Sequence, residues 1–161
     1  MRSRMKVIFL DIDGVLINNA SLLNMESSYV PDEKCVQELN ELINRTDAKI
    51  VVSSCWRIGR TLAELQDLLS GWGIKGIVLD KTPDPLNSRE KERGLEILRW
   101  LAERNKGKDD VESFVILDDN KYMPTLLEFL VQTKFEPGLT RRNAEKALQI
   151  LLKPRWSNEA R

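Results

Sequence analysis

Short apolar runs alternate with longer helical patterns along this chain, and that alternation constrains its fold more than any other feature. The runs typical of buried strands occupy residues 6–10, 48–52, 76–79, 113–117 and 129–133. Strands that alternate with helices imply right-handed crossovers and a sheet that helices cover on both faces. We therefore predict an α/β fold, a doubly wound, Rossmann-like parallel sheet of about five strands.

The helical segments between these strands carry start signals. Residues 32–43 follow Pro31 and place their apolar side chains on one helical face. Capping residues are predicted for the three later helices at Thr61, Ser88 and Thr140. Because the 161 residues contain no repeat, low-complexity tract or linker, we predict a single domain over residues 1–161 with a core at about 6–152.

Composition excludes several classes of function. The chain has no histidine, so mechanisms that need an imidazole base are excluded. Its two cysteines, Cys35 and Cys55, form no CxxC pair, which argues against a zinc site. Basic and acidic residues number 25 each, so no overall charge attracts nucleic acid or an anionic membrane. No apolar stretch approaches the roughly 20 residues that cross a bilayer. The run that follows the basic residues 1–6 is too short for the apolar region of a signal peptide, so we predict a cytoplasmic protein.

Polar residues stand where three of the predicted strands end: Asp11-Ile12-Asp13-Gly14, Ser53-Ser54 and Asp118-Asp119. The carboxyl ends of parallel strands meet at one edge of the sheet, so these side chains are expected to converge. Clustered carboxylates repel each other unless a cation neutralises them, and oxygen ligands without histidine or thiolate favour Mg²⁺. In an extended strand, Asp-x-Asp spacing places one carboxylate to attack phosphorus and the other beside the leaving oxygen. Gly14 would let the backbone turn tightly under the phosphate.

The stretch FLDIDGVL, residues 9–16, resembles the first motif of the haloacid dehalogenase (HAD) superfamily. The resemblance implies a phosphatase in which Asp11 is the nucleophile and Asp13 is the general acid–base catalyst. It also implies that the Asp11 side chain and the Asp13 backbone carbonyl bind Mg²⁺.

Two further strand ends resemble motifs of the same superfamily. KIVVSS resembles the second motif, whose final Ser or Thr binds the transferring phosphoryl oxygen, and both Ser53 and Ser54 qualify. VILDDN resembles the fourth motif, which implies that Asp118 is a metal ligand and that Asp119 supports it.

The third motif is a single Lys or Arg near the start of the helix before the fourth-motif strand, and both Lys91 and Arg93 qualify. RGLEILRWL, from Arg93 onward, resembles a narrower branch, the HAD domain of Swiss Army Knife RNA repair proteins, which favours Arg93. SSCWR and GLT, residues 53–57 and 138–140, fit the same branch. Within SSCWR, Arg57 either binds substrate phosphate or holds its loop through a salt bridge, and Trp56 either packs or stacks on a base.

The spacing of the motifs leaves no room for a cap domain, since residues 17–31 are expected to form one short loop. An open site suits a phosphate on a large molecule such as a polynucleotide end. The resemblance thus implies an Mg²⁺-dependent phosphomonoesterase that forms an aspartyl phosphate on Asp11, with nucleic-acid terminal phosphates as the favoured substrate. The alternatives are a phosphatase of nucleotides or small phosphoesters and a non-catalytic HAD-like binding domain.

The sequence gives limited information about protein and nucleic-acid partners. No ligase or kinase domain fits in the chain, so a repair role would need separate partners, and no obligate protein partner can be read. A set of basic residues either forms a solvated helix face or contacts nucleic acid: Arg141, Arg142, Lys146, Lys153 and Arg155.

Overall fold

The structure, a computed structural model, describes residues 3–23, 30–84, 93–104, 109–120 and 123–153. Over these residues the strands are β1 (Ser3–Leu10), β2 (Lys49–Val52), β3 (Val78–Lys81), β4 (Asp109–Asp118) and β5 (Leu130–Gln132). The helices are α1 (Asn19–Leu23), α2 (Glu33–Thr46), α3 (Leu62–Gly71), α4 (Arg93–Arg104) and α5 (Arg141–Leu152), with 3₁₀ turns at Cys55–Arg57 and Pro124–Phe129. All strand pairs are parallel, in the order β3-β2-β1-β4-β5. The predicted α/β class and parallel sheet are confirmed.

Helices cover both faces of the sheet because successive side chains of its inner strands point to opposite sides. Ile8 and Leu10 of β1 belong to the core that also contains buried residues of α2, α3 and α5. Val7 and Phe9 belong to a second core with buried residues of α4 and of the 3₁₀ turn Pro124–Phe129. Apolar burial on both faces explains why residues 7–10 of β1 are continuously apolar rather than alternating.

The bounds of β1, β3 and β4 differ by two residues or more from those predicted, whereas those of β2 and β5 differ by no more than a single residue at either end. β1 and β4 extend beyond the predicted residues at their amino ends, where Ser3 pairs with Asp109 and a salt bridge joins Lys6 to Glu112. Polar ends of this kind carry no apolar signal, so the sequence pattern missed them. β3 begins at Val78, two residues later than predicted, where its register on β2 shifts.

The segment predicted as one short loop, residues 17–31, contains the helix α1. The Asn18 side chain accepts a hydrogen bond from the Ser21 N–H, and the Asn18 carbonyl accepts one from Leu22. Asn18 therefore starts a short helix at a place where no apolar periodicity marks one. No cap domain is inserted among the residues described.

The predicted caps differ in outcome. The Thr61 side chain accepts from the Glu64 N–H, and Thr140 and Asn143 form a reciprocal capping box on α5. Ser88 lies outside the described residues. None of the helices that the structure describes is long and apolar enough to span a membrane.

Candidate active site

Three polar residues lie at the carboxyl ends of neighbouring strands, since Asp11 and Ser53 directly follow β1 and β2 and Asp118 ends β4. The Asp11 N–H donates to the Leu117 carbonyl, and the Ser53 N–H donates to the Leu10 carbonyl, each over 3.0 Å. Asp118 directly follows Leu117, the residue that pairs with Leu10. The parallel register thus brings the ends of β1, β2 and β4 together, as expected for a doubly wound sheet.

Arg93 at the start of the described part of α4 lies between two buried carboxylates. Its Nη1 lies 2.8 Å from Asp118 Oδ2 and 3.1 Å from Asp11 Oδ2. The remaining oxygens accept backbone hydrogen bonds, Asp11 Oδ1 from Ile12 and Asp118 Oδ1 from Asn120. One guanidinium therefore bridges the residues that the first and fourth motifs place at adjacent strand ends.

Asp119 completes a cluster of three carboxylates with Asp11 and Asp118, each offering an oxygen within 4.8 Å of the others. When all are ionised, the single guanidinium of Arg93 leaves two negative charges uncompensated. Clustered carboxylate oxygens at this spacing are the donor set that a hard divalent cation takes. The residues present therefore fit a metal ion.

Burial and mutual repulsion shape the pKa values in this cluster. Burial, followed by the Asp118 charge, raises the pKa of Asp11 to about 7, although Arg93 opposes the shift. Burial also raises the pKa of Asp118 against the effect of Arg93, and burial and the Asp11 charge raise that of Asp119. Burial lowers the pKa of Arg93, but the charges of Asp11 and Asp118 outweigh it and raise the value, so Arg93 stays cationic.

Gly14 turns the chain directly beneath Asp119. Its φ of +80° lies in the left-handed region, and a Cβ built at this position would stand 2.3 Å from Asp119 Oδ2. The Gly14 N–H already donates to the Ile17 carbonyl. The contribution of Gly14 is therefore this tight turn, as the sequence suggested, rather than a free N–H for phosphate.

The two serines after β2 have different surroundings. The Ser54 hydroxyl accepts a hydrogen bond from the Trp56 N–H and so caps the 3₁₀ turn Cys55–Arg57. Ser53 is fully buried, and its hydroxyl has no hydrogen-bond partner within the part of the chain that the structure describes. An unpartnered buried hydroxyl is costly unless something binds it, which makes Ser53 the candidate for a phosphoryl oxygen.

The Arg57 guanidinium is buried and turned into the protein. It pairs with the Glu96 carboxylate of α4 and donates to the carbonyls of Ser54, Thr82 and Pro83. These contacts favour the alternative in which Arg57 holds its loop rather than binding substrate.

Glu96 carried no functional prediction from the sequence. In α4 the charged side chain is the buried one, since Glu96 is 4% exposed whereas its apolar neighbour Leu95 is 54% exposed. Arg57 supplies the reason, because its guanidinium gives a carboxylate a buried partner. The Arg-Gly-x-Glu spacing of the branch motif was the available signal, since it places Glu96 one turn from Arg93.

Asp13 and Asp11 do not share one side of a strand, contrary to the extended-strand prediction. β1 ends at Leu10. The chain then turns, and the Ile12 carbonyl accepts hydrogen bonds from the N–H groups of residues 15–17. Asp13 is exposed, and its Oδ2 accepts a hydrogen bond of 3.1 Å from the Trp56 indole. Its side chain thus stands outside the three-carboxylate cluster.

The remaining residues with predicted roles are Lys91, Trp56 and the basic residues of the C-terminal set. Lys91, the alternative to Arg93, lies outside the described residues, as does Arg155. The remaining basic residues of the C-terminal set lie exposed on or just after α5: Arg141, Arg142, Lys146 and Lys153. The Trp56 ring packs edge-on against Trp72 and beneath the Arg60 guanidinium, as expected for packing rather than an open stacking platform.

Comparison with known proteins supplies one match. The family model described as the HAD domain in Swiss Army Knife RNA repair proteins matches residues 7–144. Neither a curated protein nor a solved structure matches the chain. The matched range runs from β1 into α5 and includes every residue of the carboxylate cluster. The chain belongs to the family of HAD domains found in Swiss Army Knife RNA repair proteins.

Proposed function

We propose that this protein is an Mg²⁺-dependent phosphomonoesterase that forms an aspartyl phosphate on Asp11. The observation that carries the proposal is the arrangement of Arg93 between Asp11 and Asp118, with Asp119 beside them. A buried carboxylate next to a cationic guanidinium and a cation site can approach a phosphate dianion without prohibitive repulsion. Membership of a HAD family supports a hydrolase of this kind.

The proposed roles follow from chemistry that each residue can perform. Asp11, Asp118 and Asp119 would hold Mg²⁺ with the Asp13 carbonyl, and the ion would neutralise their charge and that of the bound phosphoryl group. Arg93 would hold the nucleophile in place and contact the phosphoryl oxygens. The Ser53 hydroxyl would donate to one of those oxygens.

The reaction has two steps. In the first, an Asp11 oxygen bonds to phosphorus, the bond from phosphorus to the leaving oxygen breaks, and Asp13 gives its proton to that oxygen. In the second, a water oxygen bonds to phosphorus, Asp13 takes the water proton, and the bond to Asp11 breaks. Inorganic phosphate leaves, and both aspartates return to their starting states.

A terminal phosphate of a nucleic acid is the substrate class we favour. The family is that of domains in RNA repair proteins, and among the described residues no inserted cap covers the strand ends. A polynucleotide end could itself cover such an open edge. Two exposed basic residues, Arg141 and Arg142, begin α5 shortly after Leu139, whose N–H donates to the Val15 carbonyl in the turn after β1, and they could contact backbone phosphates.

The first test is phosphate release with Mg²⁺ from a substrate panel. The panel contains p-nitrophenyl phosphate, free nucleotides, phosphopeptides, and DNA and RNA oligonucleotides phosphorylated at the 3′ or 5′ end. We expect turnover, with preference for an oligonucleotide end. Preference for small esters would keep the phosphatase and contradict the nucleic-acid substrate.

Two variants control this test. Asp11→Asn removes the proposed nucleophile and should lower the rate by about a thousandfold or more. Asp47→Asn makes the same change at a side chain that is 96% exposed, and it should keep the wild-type rate. Mg²⁺ should raise the melting temperature of the wild type and of Asp47→Asn but not of Asp11→Asn. Wild-type turnover by Asp11→Asn, or full activity after chelation, would contradict the proposal.

A further inference from the structure

We propose that Trp56 is a positioning residue that orients Asp13 for proton transfer. The inference rests on the proposed phosphatase function and adds a residue to it. Trp56 Nε1 donates to Asp13 Oδ2 over 3.1 Å, joining two segments that are 43 residues apart in the chain. The contact links the turn after β2 to the turn after β1, at the carboxyl ends of the strands where the carboxylate cluster lies.

The Trp56 ring is held in place from several sides. The Ser54 hydroxyl accepts from the Trp56 backbone N–H, and the ring packs edge-on against Trp72 with centroids 5.4 Å apart. Arg60 lies over the ring, 5.1 Å from its centroid, and donates to the Trp56 carbonyl over 2.8 Å. The indole N–H therefore has a direction that the protein sets, whereas Asp13 is exposed and would otherwise rotate in water.

This direction matters because an indole N–H is a donor only. Because a carbonyl oxygen accepts a hydrogen bond better than a hydroxyl oxygen does, donation to Asp13 Oδ2 favours a carboxyl proton on the other oxygen, Oδ1. Oδ2 accepts the hydrogen bond in both protonation states, so the contact can persist through both steps. Oδ1 is then the oxygen that gives a proton to the leaving group and later takes one from water.

The test separates proton transfer from packing by the choice of leaving group. Trp56→Phe keeps an aromatic ring but removes the N–H. A p-nitrophenolate leaving group needs little protonation, whereas the alcohol of β-glycerophosphate needs a proton as it departs. We expect Trp56→Phe to lower kcat/KM for β-glycerophosphate by about tenfold or more and to leave that for p-nitrophenyl phosphate nearly unchanged.

Trp100→Phe is a matched control, because Trp100 Nε1 also donates to a carboxylate, Asp80 Oδ2, over 2.7 Å. That contact is not part of the carboxylate cluster. In Trp100→Phe, the ratio of kcat/KM for β-glycerophosphate to kcat/KM for p-nitrophenyl phosphate should therefore stay at the wild-type value. Trp56→Phe should also add nothing to Asp13→Asn, because both changes act on one proton transfer. A parallel loss on both substrates, or a full additional loss in the double variant, would overturn the inference.

A second measurement does not depend on turnover. The indole N–H resonance of Trp56, assigned by its loss in Trp56→Phe, should move in Asp13→Ala because that change removes the acceptor. An unchanged resonance would overturn the inference. A different result would contradict the proposed function, namely that Asp11→Asn retains the wild-type rate.

Discussion

Arg57 and Glu96 form a buried ion pair that ties the turn after β2 to helix α4. Glu96 lies one helical turn from Arg93, the residue that contacts Asp11 and Asp118. The pair therefore connects the turn that carries the second-motif serines to the helix that carries the cation of the cluster. Its two members come from SSCWR and RGLEILRWL, two of the three segments that resemble this family branch.

We expect loss of one partner of this pair to destabilise the protein strongly. Glu96→Gln leaves the Arg57 guanidinium buried without its counter-charge, at a cost of about 3 kcal/mol or more in the free energy of unfolding. Urea denaturation measures this cost. Glu145→Gln is the control, because the Arg45–Glu145 pair is about half exposed and should contribute less than about 1 kcal/mol. Equal effects of the two changes would contradict the prediction.

Arg93 rather than Lys91 should be the cation of the third motif. Arg93→Ala leaves Asp11 and Asp118 facing each other without a guanidinium, and we expect kcat to fall by about a hundredfold or more. Lys91→Ala should remain close to wild type in the same phosphate-release assay. A collapse of the rate in Lys91→Ala alone would show that the assignment is wrong.

The metal-free protein should lose stability as pH rises, because the pKa of Asp11 is about 7 in the folded chain against 3.8 ordinarily. Between these values the unfolded chain has released the proton that the folded chain keeps. Folding then takes up a proton, so the stability due to this group falls as pH rises through that window. Above it, folding carries the full cost of the buried charge.

Asp11→Asn removes this cost, so its melting temperature should exceed that of the wild type by more at pH 8 than at pH 5, both measured in chelator. Asp47→Asn, at an exposed side chain, should show no such trend. A wild-type-to-variant difference that stays constant with pH would contradict the expected titration of Asp11.

Gly14→Ala should weaken metal binding more than it weakens the fold. The Cβ of an alanine at this position would stand 2.3 Å from Asp119 Oδ2, and the alanine backbone would have to adopt a φ of +80°. The backbone strain costs about 1–2 kcal/mol, and the displaced Asp119 carboxylate leaves the cluster. We expect a higher Mg²⁺ concentration for half-maximal stabilisation in thermal unfolding. Gly59→Ala, at a similar φ of +76° with nothing within 4 Å, is the control for strain alone.

Much of the architecture could be predicted from the sequence because its signals are local. The continuous apolar run of β1 reflects burial on both faces, and the residues after each strand identify which strand ends carry chemistry. The motif order also predicted the family. The polar extensions of β1 and β4 could not be predicted, because their pairing depends on a neighbouring strand rather than on apolar periodicity.

The sequence by itself determined the fold class, the family and the candidate carboxylates, because each depends on residue types and spacings within short segments. Only the tertiary structure decided the partners of those residues. It decided that Ser54 caps a turn while the Ser53 hydroxyl is buried without a partner among the described residues, and that Trp56 points at Asp13. It also decided that Glu96 faces inward toward Arg57. Such choices depend on which groups distant segments bring within hydrogen-bond distance, and a linear pattern does not contain that distance.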